Sequence, residues 1–183
     1  MVNKLTANMR AILVTTLLLL SFHFNSLAQI YKAPSLPLKG SDIRYEEKVI
    51  TGGGYDKGQL FNNAEEWFNK HYESADTKLT VDNKATGRVA GVASSNNDRQ
   101  HKDNEIFFQF NIVVDSGSYT YSIDSIYATT AKDKFLYADM YREERFPQGK
   151  PRWTKEQRYT MLTDMDSYIK KVIEQLNTDM VKK

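Results

Sequence analysis

Few places in this 183-residue chain could do chemistry. It contains three histidines and no cysteine, so thiol catalysis and thiolate metal sites are excluded. His23 falls in an N-terminal apolar stretch, which leaves His71 and His101. His101 stands near Asp98, Asp103 and Glu105, a set able to hold a divalent cation weakly. The spacing fits neither an EF-hand nor an HExxH motif, and the run Ser94–Asn104 reads as a solvated polar loop. His71 sits at the edge of a helical apolar stripe and reads as a boundary residue. A serine hydrolase needs a nucleophile, a base and an orienting acid, yet there is no G-x-S-x-G and few histidines could act as base. Two acids could converge anywhere in the fold, but nothing singles out a pair. No catalytic residue, cofactor or metal ligand is assigned.

Two further stretches have suggestive composition. Gly52-Gly53-Gly54 lies between a strand pattern and a helix pattern, where backbone N–H groups attract anions. No Lys-Ser/Thr follows it and the G-x-G-x-x-G spacing is missing, so it reads as a connector. The second stretch is the long connection Thr129–Trp153, with Phe135, Tyr137, Tyr141, Phe146 and Trp153. From Arg142 to Arg158, six basic residues face three acids. Arg142, Arg145, Arg152 and Trp153 could together present guanidinium forks and an aromatic platform to an anionic glycan or an acidic protein. The plainer reading is that the aromatics close one end of the core and the charges are solvated.

Composition sets the frame for these sites. Apolar residues make up 40% and charged residues 26%, typical of a globular domain. Lys4 and Arg10 precede the apolar run Ala11–Leu20, and Ser26-Leu27-Ala28 offers small residues at a peptidase site. That pattern predicts a signal peptide over 1–28, cleaved before Gln29, with no membrane anchor afterwards and a periplasmic or secreted destination. Without Lys4 and Arg10, 23 basic residues balance 23 acidic ones. Such neutrality argues against a nucleic-acid partner.

The elements are read from periodicity. Residues 29–41, with Pro34, Pro37 and Gly40, form an extended leader, and the domain runs over 42–183. Ile43, Tyr45 and Val49 alternate with polar residues as a first strand. A helix follows, capped by Asp56 with Gln59 as its box partner, and Leu60, Phe61, Ala64, Trp67, Phe68 and Tyr72 form its stripe. Leu79–Asp82 and Arg88–Ala93 are strands, with a bulge or a close neighbour expected at Gly91. Ile106–Val114 and Tyr119–Tyr127 form a hairpin through Ser116-Gly117. A two-residue turn pairs Val114 with Tyr119, Ile112 with Tyr121 and Phe110 with Ile123. One face then carries Ile106, Phe108, Phe110, Ile112, Val114, Tyr119, Tyr121, Ile123 and Tyr127. The other carries Gln109, Asn111, Thr120, Ser122 and Asp124. The last helix spans about Lys155–Met180, capped by Thr154 with Gln157, its stripe running from Tyr159 to Met180.

This order, β-α-β-β-β-β-α, predicts an α+β domain: a curved five-stranded antiparallel sheet with two helices on one face. The chain also resembles the domain of unknown function with a TATA-box-binding-protein-like (TBP-like) fold common in exported proteins of Bacteroidota. The resemblance rests on Gly54, Leu60-Phe61, Ala64, Trp67-Phe68 and Gly87-x-Val89-x-Gly91. It continues through Phe108-x-Phe110-x-Ile112, Asp115-Ser116-Gly117 and Tyr119-x-Tyr121, covering about Asp42–Tyr127. It implies the fold and no catalytic residue.

Function is therefore expected in a non-catalytic binding or interaction module. Its candidate surfaces are the open sheet face (Gln109, Asn111, Thr120, Ser122, Asp124) and the basic segment (Arg142, Arg145, Arg152, Trp153). The open face reads as polar, slightly acidic and without Lys or Arg, unlike a DNA-contacting sheet. The alternative is a small-ligand carrier or enzyme whose pocket, between sheet and helices, is lined by Tyr119, Tyr121 and Tyr127.

Overall fold

The computed structural model describes residues 34–72, 77–95, 105–129, 134–142 and 153–182. The signal segment, His101 with its acidic neighbours Asp98 and Asp103, and Arg145 and Arg152 lie outside the described residues.

The polypeptide enters through a small hairpin, β1 (Leu38–Lys39) with β2 (Asp42–Ile43). β3 (Tyr45–Ile50) follows directly and leads to helix α1 (Lys57–Tyr72). The Asp56 carboxylate accepts from the Gln59 N–H at 2.8 Å, and the Gln59 side chain accepts from the Asp56 N–H at 3.0 Å. This is the reciprocal box expected from the sequence. Strands β4 (Lys78–Asn83), β5 (Arg88–Ser94), β6 (Glu105–Asp115) and β7 (Ser118–Thr129) then run antiparallel in the spatial order β3-β7-β6-β5-β4.

The long connection adds to this plan. Within it, β8 (Lys134–Leu136) pairs with β7, and the short helix α2 (Tyr137–Tyr141) follows. The sheet thus has six strands, not five, and the described residues hold three helices, not two. The last helix, α3 (Lys155–Met180), opens with Thr154 and Gln157 in a second complete capping box.

Both long helices lie on the same face of the sheet. Trp67 of α1 meets Phe110 edge-on at 5.3 Å, and Tyr168 of α3 approaches Phe108 at 6.3 Å. Phe108 and Phe110 are buried, as are Trp67, Leu162, Met165 and Ile169. Burying each large apolar side chain stabilises the fold by roughly 1.5–3 kcal/mol. Polar pairs fix how the helices seat. Asn63 of α1 donates to the Met180 carbonyl at 3.0 Å, and Asp179 of α3 lies 2.7 Å from the His71 ring. His71 is therefore a clasp between helices, and a carboxylate on the apolar stripe is its partner.

The hairpin register is as expected near the turn: Val114 pairs with Tyr119, Ile112 with Tyr121 and Phe110 with Ile123. Further along it changes. Gln109 pairs with Asp124 but Phe107 pairs with Tyr127, so Ser125 and Ile126 together face Phe108. That extra residue is a β-bulge, and every later side chain on β7 changes face. Ile126 and Ala128 turn into the core, while Tyr127 moves to the opposite face and stacks on Phe107 at 5.0 Å. Tyr127 is therefore not in the core-facing set with Tyr119 and Tyr121. Ser125 adopts φ 51°, and its N–H donates to the Asp42 carboxylate at 3.2 Å.

Candidate functional site

The face of the sheet away from α1 and α3 carries a groove of about 340 Å³, a volume at the low end of the ~300–1,000 Å³ typical of small-molecule sites. Its floor comes from the three central strands, through Ala90, Gly91 and Val92 of β5, Gln109 and Asn111 of β6, and Ser122 and Asp124 of β7. The register explains this grouping: Val92 pairs with Gln109, Ala90 with Asn111, Asn111 with Ser122 and Gln109 with Asp124. Small side chains on β5 leave the depression that the longer ones rim.

A second bulge shapes the outer wall. The β4–β5 register shifts between Leu79 and Val81, which leaves Thr80 as the extra residue beside the groove. Gly91 opposite permits it, because a Cβ there would come within 2.3 Å of the Lys78 carbonyl oxygen. The close neighbour expected at Gly91 is thus the backbone of β4.

Two arginines line the groove. Arg44, between β2 and β3, lies 2.9 Å from Glu46 and 3.6 Å from Asp124. Its charge is met by carboxylates on both sides. Arg88, at the start of β5, donates from Nε to the Asn111 side-chain oxygen at 2.6 Å. Among the described residues it meets no carboxylate. Lys48 pairs with Thr120 and so shares this face too. The expectation that the face lacks basic residues is thus incorrect. The hairpin alone shows only its own two strands, whereas Arg44, Lys48 and Arg88 arrive from β3 and β5 and their approaches.

The candidate residues are placed unevenly. Gln109, Asn111, Ser122 and Asp124 line the groove together, while Thr120 lies on the same face outside it. Gln109 is exposed and Ser122 is buried at the floor. The described part of the long connection is largely committed to packing. Trp153 packs on Phe135 at 4.8 Å, Phe135 on Tyr137 at 5.5 Å, and Tyr137, Ala138 and Met140 are buried. Arg142 is half-buried at the end of α2. The structure does not bring Arg142 or Trp153 to the groove.

The helix-facing tyrosines have structural partners. The Tyr119 hydroxyl donates to Asn177 at 2.6 Å and that of Tyr121 to Glu47 at 3.1 Å. Burial, aided by Glu47, pushes the Tyr119 phenol up to about 12, and the same two causes raise Tyr121. Neutral phenols held as donors suit a core seam. Among the described residues, no three His, Asp or Glu side chains gather to hold a metal ion. No helix among them is long and apolar enough to cross a membrane.

An open antiparallel sheet with helices on one face defines the TBP-like α+β class. The model of a family described as a domain of unknown function (DUF4468) with TBP-like fold matches residues 45–129, as the packing residues imply. A DUF4468 family protein from Bacteroides ovatus superposes with a TM-score of 0.55 at 14% identity, covering 80% of this chain and 92% of that one. A TBP-like protein from Parabacteroides distasonis gives a TM-score of 0.56 at 14% identity, covering 78% and 97%. At such identity the likeness establishes the fold alone. No curated protein matches the chain.

Proposed function

We propose that this protein is an exported, non-catalytic binding module that holds its ligand in the groove on the sheet face away from the two long helices. Export rests on the basic, apolar and small-residue pattern over residues 1–28. Binding rests on one observation: a concave, hydrogen-bonding strip of Arg88, Asn111, Gln109 and Asp124 on the face that neither long helix covers. The core accounts for the apolar residues, and these polar ones contribute nothing to it. A glycan or an acidic protein surface is the class of partner this strip suits. Nucleic acid is disfavoured, because Glu46 and Asp124 flank Arg44 and break up the positive field that phosphate binding needs.

The test is a glycan and acidic-peptide array probed with the chain lacking residues 1–28. Gln109→Trp fills the groove from an exposed position and should abolish any signal. Lys171→Glu, on α3, should leave it intact. Loss with Lys171→Glu and retention with Gln109→Trp would place binding elsewhere.

A further inference from the structure

Resting on that reading of the groove, the geometry points to a ligand class: a hydroxylated carboxylate, such as a sugar acid, with its carboxylate on Arg88. Three observations carry this. Of the two arginines lining the groove, Arg44 is already met by Glu46 at 2.9 Å and Asp124 at 3.6 Å. Among the described residues, Arg88 has only a neutral amide as partner, through Nε. Its two terminal nitrogens are left as a planar fork whose spacing matches the two oxygens of one carboxylate.

Asn111 has a double part here. Its oxygen accepts from Arg88 at 2.6 Å, which fixes the plane of the guanidinium. Its amide nitrogen is left as a further donor at the same end of the groove. Gln109 follows on the same face of β6, roughly 7 Å along the strand, and pairs across to Asp124. The Asp124 carboxylate already accepts from the Ser125 hydroxyl at 3.2 Å and lies 3.6 Å from Arg44, so its remaining lone pairs and the Gln109 carbonyl are the acceptors for ligand hydroxyls. Donors for an anion thus stand at one end, with acceptors for hydroxyls a sugar ring's width away.

The aromatic pair beyond Gln109 adds no stacking platform. One face of Tyr127 is covered by Phe107 at 5.0 Å, and the Lys134 ammonium sits 3.6 Å from its ring centre. Recognition in this groove is polar.

The experiment is calorimetric titration of the chain lacking residues 1–28 with glucuronate, glucose and cyclohexanecarboxylate. The inference predicts that glucuronate binds at least tenfold more tightly than either comparison ligand, because a charge-assisted fork and the hydroxyl acceptors must act together. Arg88→Ala should weaken glucuronate about tenfold or more, with the thermal midpoint unchanged because the side chain is exposed. Arg88→Lys should not restore binding, since an ammonium lacks the fork. Equal affinity for glucose and glucuronate, lost in Gln109→Trp, would overturn the carboxylate while leaving the groove as a binding site. Tight cyclohexanecarboxylate binding would overturn the hydroxyl requirement. Heat from glucuronate that persists in both Arg88→Ala and Gln109→Trp would overturn the inference and the groove together.

Discussion

The Tyr45 hydroxyl on β3 donates to the Asp166 carboxylate on α3 at 2.7 Å, joining residues 121 positions apart in the chain. Both are buried, and Lys170 closes on the other carboxylate oxygen at 2.7 Å. This bond pins the last helix to an edge of the sheet. Removing the phenol oxygen leaves a buried carboxylate one donor short. Tyr45→Phe should lower stability by about 1–3 kcal/mol in guanidinium unfolding, with the slope unchanged.

Alkaline pH should act through the same seam. Burial is the first cause raising the Tyr45, Tyr119, Tyr121 and Tyr137 phenols above their ordinary value. Above about pH 10 the unfolded chain loses these protons while the folded chain keeps them, so the unfolded state binds fewer and stability falls as pH rises. The stabilisation is complete below pH 10. Urea midpoints at pH 9, 10 and 11 should decline in order, and the share of tyrosinate absorbance due to these four phenols should appear with unfolding rather than before it.

The bulge at Ser125 gives a contrast between residue types. A φ of 51° is strained for a serine and natural for glycine. Ser125→Gly should be neutral or up to about 1 kcal/mol more stable, and Ser125→Val should be less stable by about 1–2 kcal/mol. Thermal unfolding of the three proteins checks the order.

Glycines in this chain are not equivalent. A Cβ at Gly91 would meet the Lys78 carbonyl at 2.3 Å, while one at Gly54 would meet nothing within 4 Å. Gly91→Ala should cost about 1–3 kcal/mol and disturb the groove wall, whereas Gly54→Ala should be silent. Denaturant midpoints of both variants decide this.

The core was largely legible in the sequence because its signals are local. Both capping boxes, the stripes of the long helices and the hairpin pairs next to the turn follow from neighbours a few positions apart. The fate of Tyr127 was not legible, because one inserted residue reverses a face and no residue type marks it. Ser125 looks like any strand serine, and its αL conformation is held by Asp42, 83 positions earlier. The groove was half legible. Gln109, Asn111, Ser122 and Asp124 share a face by simple alternation, but Arg44 and Arg88 enter through strand order, which no short window contains. Asp166 and Asp179 were also missed, as carboxylates on an otherwise apolar stripe whose partners Tyr45 and His71 come from distant elements.

The central claim is that the helix side of the sheet is structural and the side away from the two long helices binds. An amide-resolved NMR titration of the chain lacking residues 1–28 with a glucuronate-containing oligosaccharide tests it most directly. The account predicts saturable shifts clustered at Arg88, Gln109, Asn111, Ser122 and Asp124. Shifts confined to α1 and α3, or none on the sheet at saturating ligand, would contradict it.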